Sequence, residues 1–286
     1  SPNQQFLVRT DNDLLSPLTI KVSNISGYTI NANTSPITVG TNVGFFSDSG
    51  LYSRFYEMVD VTIDRDPEVI EQSKSAGTLL PQNLELIADS QENDLIMACE
   101  RGSNTVWCYK YFNTGEKRVL ASWFYWTMMG TVVHHALIKD SYYAALEDDD
   151  GTVRLVRGDI RPLKNTTTFT DNDFRIHFDY YGSVVESDMS YNESTNRTTF
   201  TMPIPYFEDE DLKAFSMGDE PGRIGDITVD GTTGSLLGDW TSDPIALGYT
   251  FNMRIEFPTI YPTGKSGLSG ALQADTRGYL TLNRIK

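Results

Sequence analysis

Cysteine, histidine and basic residues are scarce in this 286-residue chain, and so are long apolar runs and helical periodicity. The two cysteines, Cys99 and Cys108, exclude a disulfide framework and read as free, half-buried thiols made in a reducing compartment. Three histidines, His134, His135 and His177, are too few for a His-rich zinc centre. Two of them are adjacent in a strand-like run, so they point to opposite faces and cannot share a metal ion. Lys and Arg number 23 against 39 Asp and Glu, a net charge of -16. That argues against a surface that grips nucleic acid, which needs clustered cations, and equally against docking on anionic lipid. No run approaches 18 apolar residues, so no membrane-spanning helix is expected. No signal peptide is expected. The chain opens on Ser1-Pro2-Asn3 without an initiator Met and reads as a piece of a longer protein.

What is present points to β structure. Aromatic residues make up 12% of the chain, with 15 Tyr and 14 Phe, and such side chains pack well on a pleated surface. Residues 18–22, 27–30, 42–46 and 51–55 are short alternating runs. The last two flank Ser47-Asp48-Ser49-Gly50, a hairpin turn with Gly where a positive φ is needed. Further strands are expected at 84–88, 94–100, 105–112 and 118–127. A meander over 131–157 turns at Lys139-Asp140-Ser141 and at Glu147-Asp148-Asp149-Asp150-Gly151. Helix is expected only around 66–74, with Asp66 as cap and Pro67 in the first turn, and as helix or loop at 208–217. Later strands are expected at 174–181, 198–202, 224–229, 234–237, 245–257 with a bend at Gly248, and 279–285. Residues 203–223 carry three prolines and a cluster of acids and read as a long irregular excursion. The expected organisation is a propeller-like all-β domain over 1–160 and a second β region with long loops over 161–286.

One segment carries more identity than the rest. Leu79-Leu80-Pro81 and Leu86-Ile87-Ala88-Asp89-Ser90-Gln91-Glu92-Asn93 precede a run from Thr105 through Tyr109-Lys110-Tyr111-Phe112-Asn113-Thr114-Gly115 and Arg118 to Trp123-Phe124-Tyr125-Trp126. By period two, Trp107, Tyr109 and Tyr111 share one face. Val119, Ala121, Trp123 and Tyr125 share one face of the next strand, and Leu120, Ser122, Phe124 and Trp126 the other. The reading is a three-stranded aromatic sheet covered on both faces, a core element rather than a binding site. The pattern resembles the tail tubular protein B (nozzle protein) family of short-tailed bacteriophages. Similar runs are Gly44-Phe45-Phe46-Ser47-Asp48-Ser49-Gly50-Leu51-Tyr52 extending to Glu57, Gly248-Tyr249-Thr250-Phe251, and Arg277-Gly278-Tyr279-Leu280 extending to Arg284. The resemblance is strong over 37–130, weaker over 240–285, and silent over 160–240. It implies a hexameric ring at the distal end of a tail, assembled in the host cytoplasm, below a tail tubular A adaptor and in contact with tail fibres. It implies passage of DNA through the ring, and no enzyme active site, cofactor or metal.

The candidate sites outside that motif have ordinary explanations beside their functional ones. Asp148-Asp149-Asp150-Gly151 invites a calcium reading, but position 12 of an EF-hand loop would be Asp159, across an expected strand; a solvated turn is the simpler reading. Asp171-Asn172-Asp173 is treated alike. Glu208, Asp209, Glu210, Asp211, Asp219 and Glu220 contain carboxylates enough for a glycosidase pair, and also suit a solvated loop. Asn165, Asn192 and Asn196 fit the glycosylation pattern, which matters only in a secretory pathway. No Gly-x-Ser-x-Gly, His-Glu-x-x-His or phosphate-cradling loop is present. The expectation is therefore a structural tail component whose acidic surface lets DNA slide past without adhering. Two rivals remain: a receptor- or glycan-binding module using Tyr206, Phe207 and Phe215, and a tail-associated polysaccharide depolymerase. No catalytic, cofactor-binding or metal-binding residue is assigned.

Overall fold

A computed structural model describes residues 4–10, 20–59, 66–114, 117–161, 177–218, 223–255, 263–265 and 272–274. Expected features at 18–22, 165–167, 171–173, 174–181, 219–220, 245–257 and 277–285 lie wholly or partly outside the described residues. Among the described residues there is no α-helix, only two 3-10 turns at Lys74–Ala76 and Glu186–Asp188. No helix there is long and apolar enough to cross a membrane. The chain divides into two compact units, Ser1–Leu163 and Lys164–Lys286.

In the first unit β1 (Gln5–Thr10) and β2 (Ile20–Ser26) form an antiparallel hairpin. Then come β3 (Ile37–Val39), β4 (Asn42–Ser49), β5 (Tyr52–Val59) and β6 (Glu68–Glu71), an antiparallel meander in sequence order. β4 and β5 turn at Gly50 and Leu51, with Gly50 at φ +83°, a backbone state that Gly adopts without strain. β4 therefore reaches further into the turn than residue 46, and β5 starts at Tyr52 and runs on past residue 55. Helix was expected at 66–74; instead Glu68–Glu71 pairs with β5, because Val69 and Ile70 complete that sheet. Only the 3-10 turn after it is helical.

The next sheet contains β7 (Leu84–Ser90), β8 (Leu95–Glu100), β9 (Thr105–Thr114) and β10 (Lys117–Thr127), again a meander. The aromatic sheet thus has four strands, not three. The residues joining β9 to β10, 115 and 116, lie outside the described residues. A third meander follows, of β11 (Thr131–Ile138), β12 (Ser141–Glu147) and β13 (Val153–Asp159).

These meanders stack by their alternating side chains. Met97, Cys99, Val106 and Cys108 face the third sheet and cluster with Val132, Tyr142, Ala144 and Leu146. Ile96, Ala98, Tyr109 and Tyr111 face the first meander and cluster with Val39, Phe46 and Phe55. β8 is consequently buried on both faces, Leu95 through Cys99. Both cysteines are free and fully buried rather than half-buried. Burial pushes the Cys99 thiol up to about 11 and Cys108 higher still, because a thiolate there has no solvent.

Gly44 is set by this packing. A Cβ there would lie 2.6 Å from Phe55 Cζ and 2.8 Å from Val39 Cγ2. Gly44→Ala is therefore expected to cost about 1–3 kcal/mol through forced repacking. A denaturant midpoint unchanged by the substitution would contradict this packing.

The second unit contains β14 (Asp179–Val184), β15 (Met189–Asn192), β16 (Arg197–Thr201), β17 (Leu212–Ser216), β18 (Ile224–Asp226), β19 (Thr228–Asp230), β20 (Thr233–Leu237) and β21 (Ile245–Tyr249). They form two antiparallel sheets, β14-β21-β17-β18 and β15-β16-β20-β19. A last short pair is β22 (Thr263–Lys265) with β23 (Leu272–Ala274). The two larger sheets meet at Gly225, where a Cβ would lie 2.6 Å from Trp240 and 2.9 Å from Leu236. The Arg223 guanidinium stacks 3.9 Å from the Trp240 ring centre. Two expectations are corrected. The stretch 203–223 is not a continuous irregular excursion, because Leu212–Ser216 is an inner strand with Leu212, Ala214 and Ser216 buried. The run 245–257 is a strand only as far as Tyr249, and Gly248 lies inside it without ending it.

Candidate interaction surface

Among the described residues no group of three or more His, Cys, Asp or Glu is placed to hold a metal ion. The acidic turn 148–151 is a closed hairpin. Asp148 N–H donates to Thr152 O at 2.9 Å, Thr152 N–H donates to Asp150 Oδ1 at 2.8 Å, and Gly151 has φ +82°. Arg154 pairs with Asp148. The hydrogen bond from Thr152 holds the Asp150 carboxyl below the usual range.

The histidines separate as their spacing requires. His134 is exposed, whereas His135 is buried with Nδ1 3.2 Å from the Tyr142 hydroxyl. A bulge between Val132 and His134 puts Val132 and His135 on the same buried side. Burial lowers the His135 pKa to about 4; a backbone hydrogen bond with Leu86 works against the shift and His134 adds to it.

The loop aromatics do not form a platform. Phe207 N–H donates to the Tyr249 hydroxyl at 2.9 Å, and that hydroxyl donates to Pro205 O at 2.8 Å. The Phe207 ring packs edge-on to Tyr249, with ring centres 5.5 Å apart. Phe215 sits half-buried in β17, and Tyr206 alone of the three is exposed. Glu208 to Glu210 form a turn, and Asp211 pairs with Lys213. The described sequons at Asn192 and Asn196 share one tight turn, with Asn192 Oδ1 accepting from Ser194 N–H at 2.9 Å.

The strand that stands out is β10. Arg118 fixes its start. The guanidinium donates to Glu57 Oε1 at 2.6 Å, to the Tyr109 hydroxyl at 2.7 Å and to Asn113 Oδ1 at 2.5 Å. Asn42 also donates to Glu57 Oε1, at 2.8 Å. Burial pushes the Tyr109 hydroxyl up to about 12, with Arg118 pulling the other way. Further along, Trp123 donates to Gln72 O at 3.1 Å and packs on Tyr109, ring centres 4.8 Å apart. Trp126 meets Tyr142 edge-on at 5.8 Å.

Beyond those anchors the strand is open. Val119 is 61% exposed and Tyr125 53%, and Leu120, Phe124 and Trp126 are exposed as well. The core reading therefore holds for β8 and β9 and fails for β10. Covered faces were inferred from aromatic content, and aromatic content does not distinguish an inner strand from an edge.

A family model described as bacteriophage nozzle protein matches residues 1–286, the whole chain. The chain belongs to the bacteriophage nozzle protein family. No curated protein matches it. Family membership makes it a structural component of a phage tail, with the virion tail as its place. The match covers 160–240 as well, where no resemblance was legible in the sequence.

Proposed function

We propose that the chain forms part of the wall of a ring around the DNA-exit channel of a short tail, built on propeller-like blades, joined below a tail tubular A adaptor and in contact with tail fibres. The observation that carries this reading is the β7–β10 sheet, whose strands β8 and β9 are covered on both faces by the meanders immediately before and after it in sequence. Blades stacked round an axis share this feature: each is a short antiparallel meander that buries both faces against its neighbours. On this reading the propeller-like domain ends near residue 160 and the rest is a second β region.

The net charge of -16 supports conduction without adhesion, since phosphates are repelled rather than held. The role is architectural, without cofactor or catalytic residue. The test is assembly of the full-length protein, alone and with its adaptor, followed by particle mass. The expected result is a closed oligomer, six-fold on the family resemblance, that binds the adaptor. A protein that stays monomeric and never associates with tail components would overturn the proposal.

A further inference from the structure

The third meander is the least covered part of the first unit. Its inward side chains pack on β8 and β9, but Ile138, Val153 and Leu155 stay exposed, Leu155 at 76%. No residue of β13 is fully buried. Polar ties to the second sheet lie towards the ends of the seam. Val132 N–H donates to Ser103 O at 2.9 Å, and Asn93 Nδ2 donates to Lys139 O at 2.8 Å. An element with so little buried surface sits at the low end of local stability.

The middle of this seam holds His135. The bulge before it turns the ring inward, between Val132 and Leu137, which both join the apolar cluster. Nδ1 lies 3.2 Å from the Tyr142 hydroxyl, and Nε2 has no hydrogen-bond partner. The titratable groups of the cluster are Tyr142 from β12, Cys99 from β8 and Cys108 from β9, and His134 adjoins along β11. From β7 the Leu86 main chain favours the charged ring, and burial outweighs it. Burial also holds the phenol and both thiols in their neutral forms. No carboxylate stands among these groups to meet an imidazolium. Protonation would leave a buried cation without a counter-charge, which a packed interior tolerates poorly.

We propose that His135 is an acid-released catch between the second and third meanders. Its protonation lifts β11–β13 off β8 and β9 as a unit and unmasks Cys99 and Cys108, while the first two meanders keep their fold. The two thiols report this opening because they lie on the face that the third meander covers. Residues 1–133 contain no histidine, the side chain that ordinarily titrates in weak acid, so the seam between the first two meanders has no such trigger. The inference goes beyond the ring reading and does not depend on it.

The experiment uses the full-length protein and a pyridyl disulfide reagent, which labels thiols even in weak acid. Labelling rates are divided by those of the unfolded chain at the same pH. From pH 7 to pH 4.5 the normalised rate is expected to rise about 50-fold, as a ring pKa near 4 in the closed form and 6.5 in the open form requires. Hydrogen exchange followed by mass is expected to speed up in β11–β13 and to hold in β4 and β5. His135→Gln is expected to lose most of the rise. Thiols that stay shielded at pH 4.5 would overturn the catch. Exchange that speeds up in β4 and β5 together with β11–β13 would overturn it too, because the whole unit then unfolds at once. An equal rise in His135→Gln would assign the trigger to another group. Should that variant fail to fold, wild-type labelling and exchange decide alone.

Discussion

Arg118→Met is expected to lower the stability of the first unit by about 3–5 kcal/mol, the cost of leaving a buried charge without its partner. Glu57 is wholly buried, and its Oε1 receives the Arg118 guanidinium at 2.6 Å. Oε2 has no protein hydrogen-bond partner at all, so the carboxylate depends on one side of the group. The same guanidinium supports the Tyr109 hydroxyl and lies 4.9 Å from the Tyr111 ring centre, so several groups lose a partner at once. The pair also ties two meanders together, Glu57 on β5 and Arg118 on β10. Adding Glu57→Gln to Arg118→Met is expected to recover much of the loss, because an uncharged amide is far less costly to bury unpaired. Urea unfolding of the two single variants and the double variant reads this directly. Additive losses would contradict a direct pair.

Acid is expected to act on a different seam. The folded His135 pKa lies near 4, against 6.5 for an exposed imidazole. Above pH 6.5 both folded and unfolded chains hold it neutral, and it contributes no pH dependence. As pH falls through 6.5 the unfolded chain binds a proton that the folded chain refuses, so stability drops until pH approaches 4. The interval of about 2.5 units corresponds to a loss of about 3 kcal/mol. Asp89 acts in the opposite sense, because burial raises its carboxyl pKa and its protonation favours the folded form as pH falls. The net fall should therefore be read against a His135→Gln variant, which removes the imidazole alone. Stability measured at pH 7 and pH 4.5 is expected to drop in the wild type and much less in the variant. Equal slopes would place the acid sensitivity elsewhere. His135 packs on Tyr142 and takes a backbone hydrogen bond with Leu86 of β7, so the seam at risk is the one between the second and third meanders.

The strands and hairpins of the first unit were largely legible, because their turns carry Gly or Asp at fixed offsets and their strands alternate. The meander of β11 to β13 follows the expected turns at 139–140 and 148–151. Leu212–Ser216 was hidden by its flanks: acids precede it, and the prolines around it suggest a loop, although Leu212, Ala214 and Ser216 already alternate inward. Glu68–Glu71 was hidden by Asp66-Pro67, a helix-start signal that lost to the open side of β5. Glu57 and Arg118 lie 61 residues apart, and nothing local marks them as partners. Aromatic density located the β7–β10 sheet correctly but not its boundary with solvent. A run such as Trp123-Phe124-Tyr125-Trp126 reads alike in a covered strand and on an exposed one.

A density map of the assembled tail tests the central claim most directly. The account predicts the β7–β10 sheet between its two neighbouring meanders in every subunit of a ring that encloses the exit channel. Finding this chain outside any ring, as an isolated subunit on a fibre or on the capsid, would contradict it.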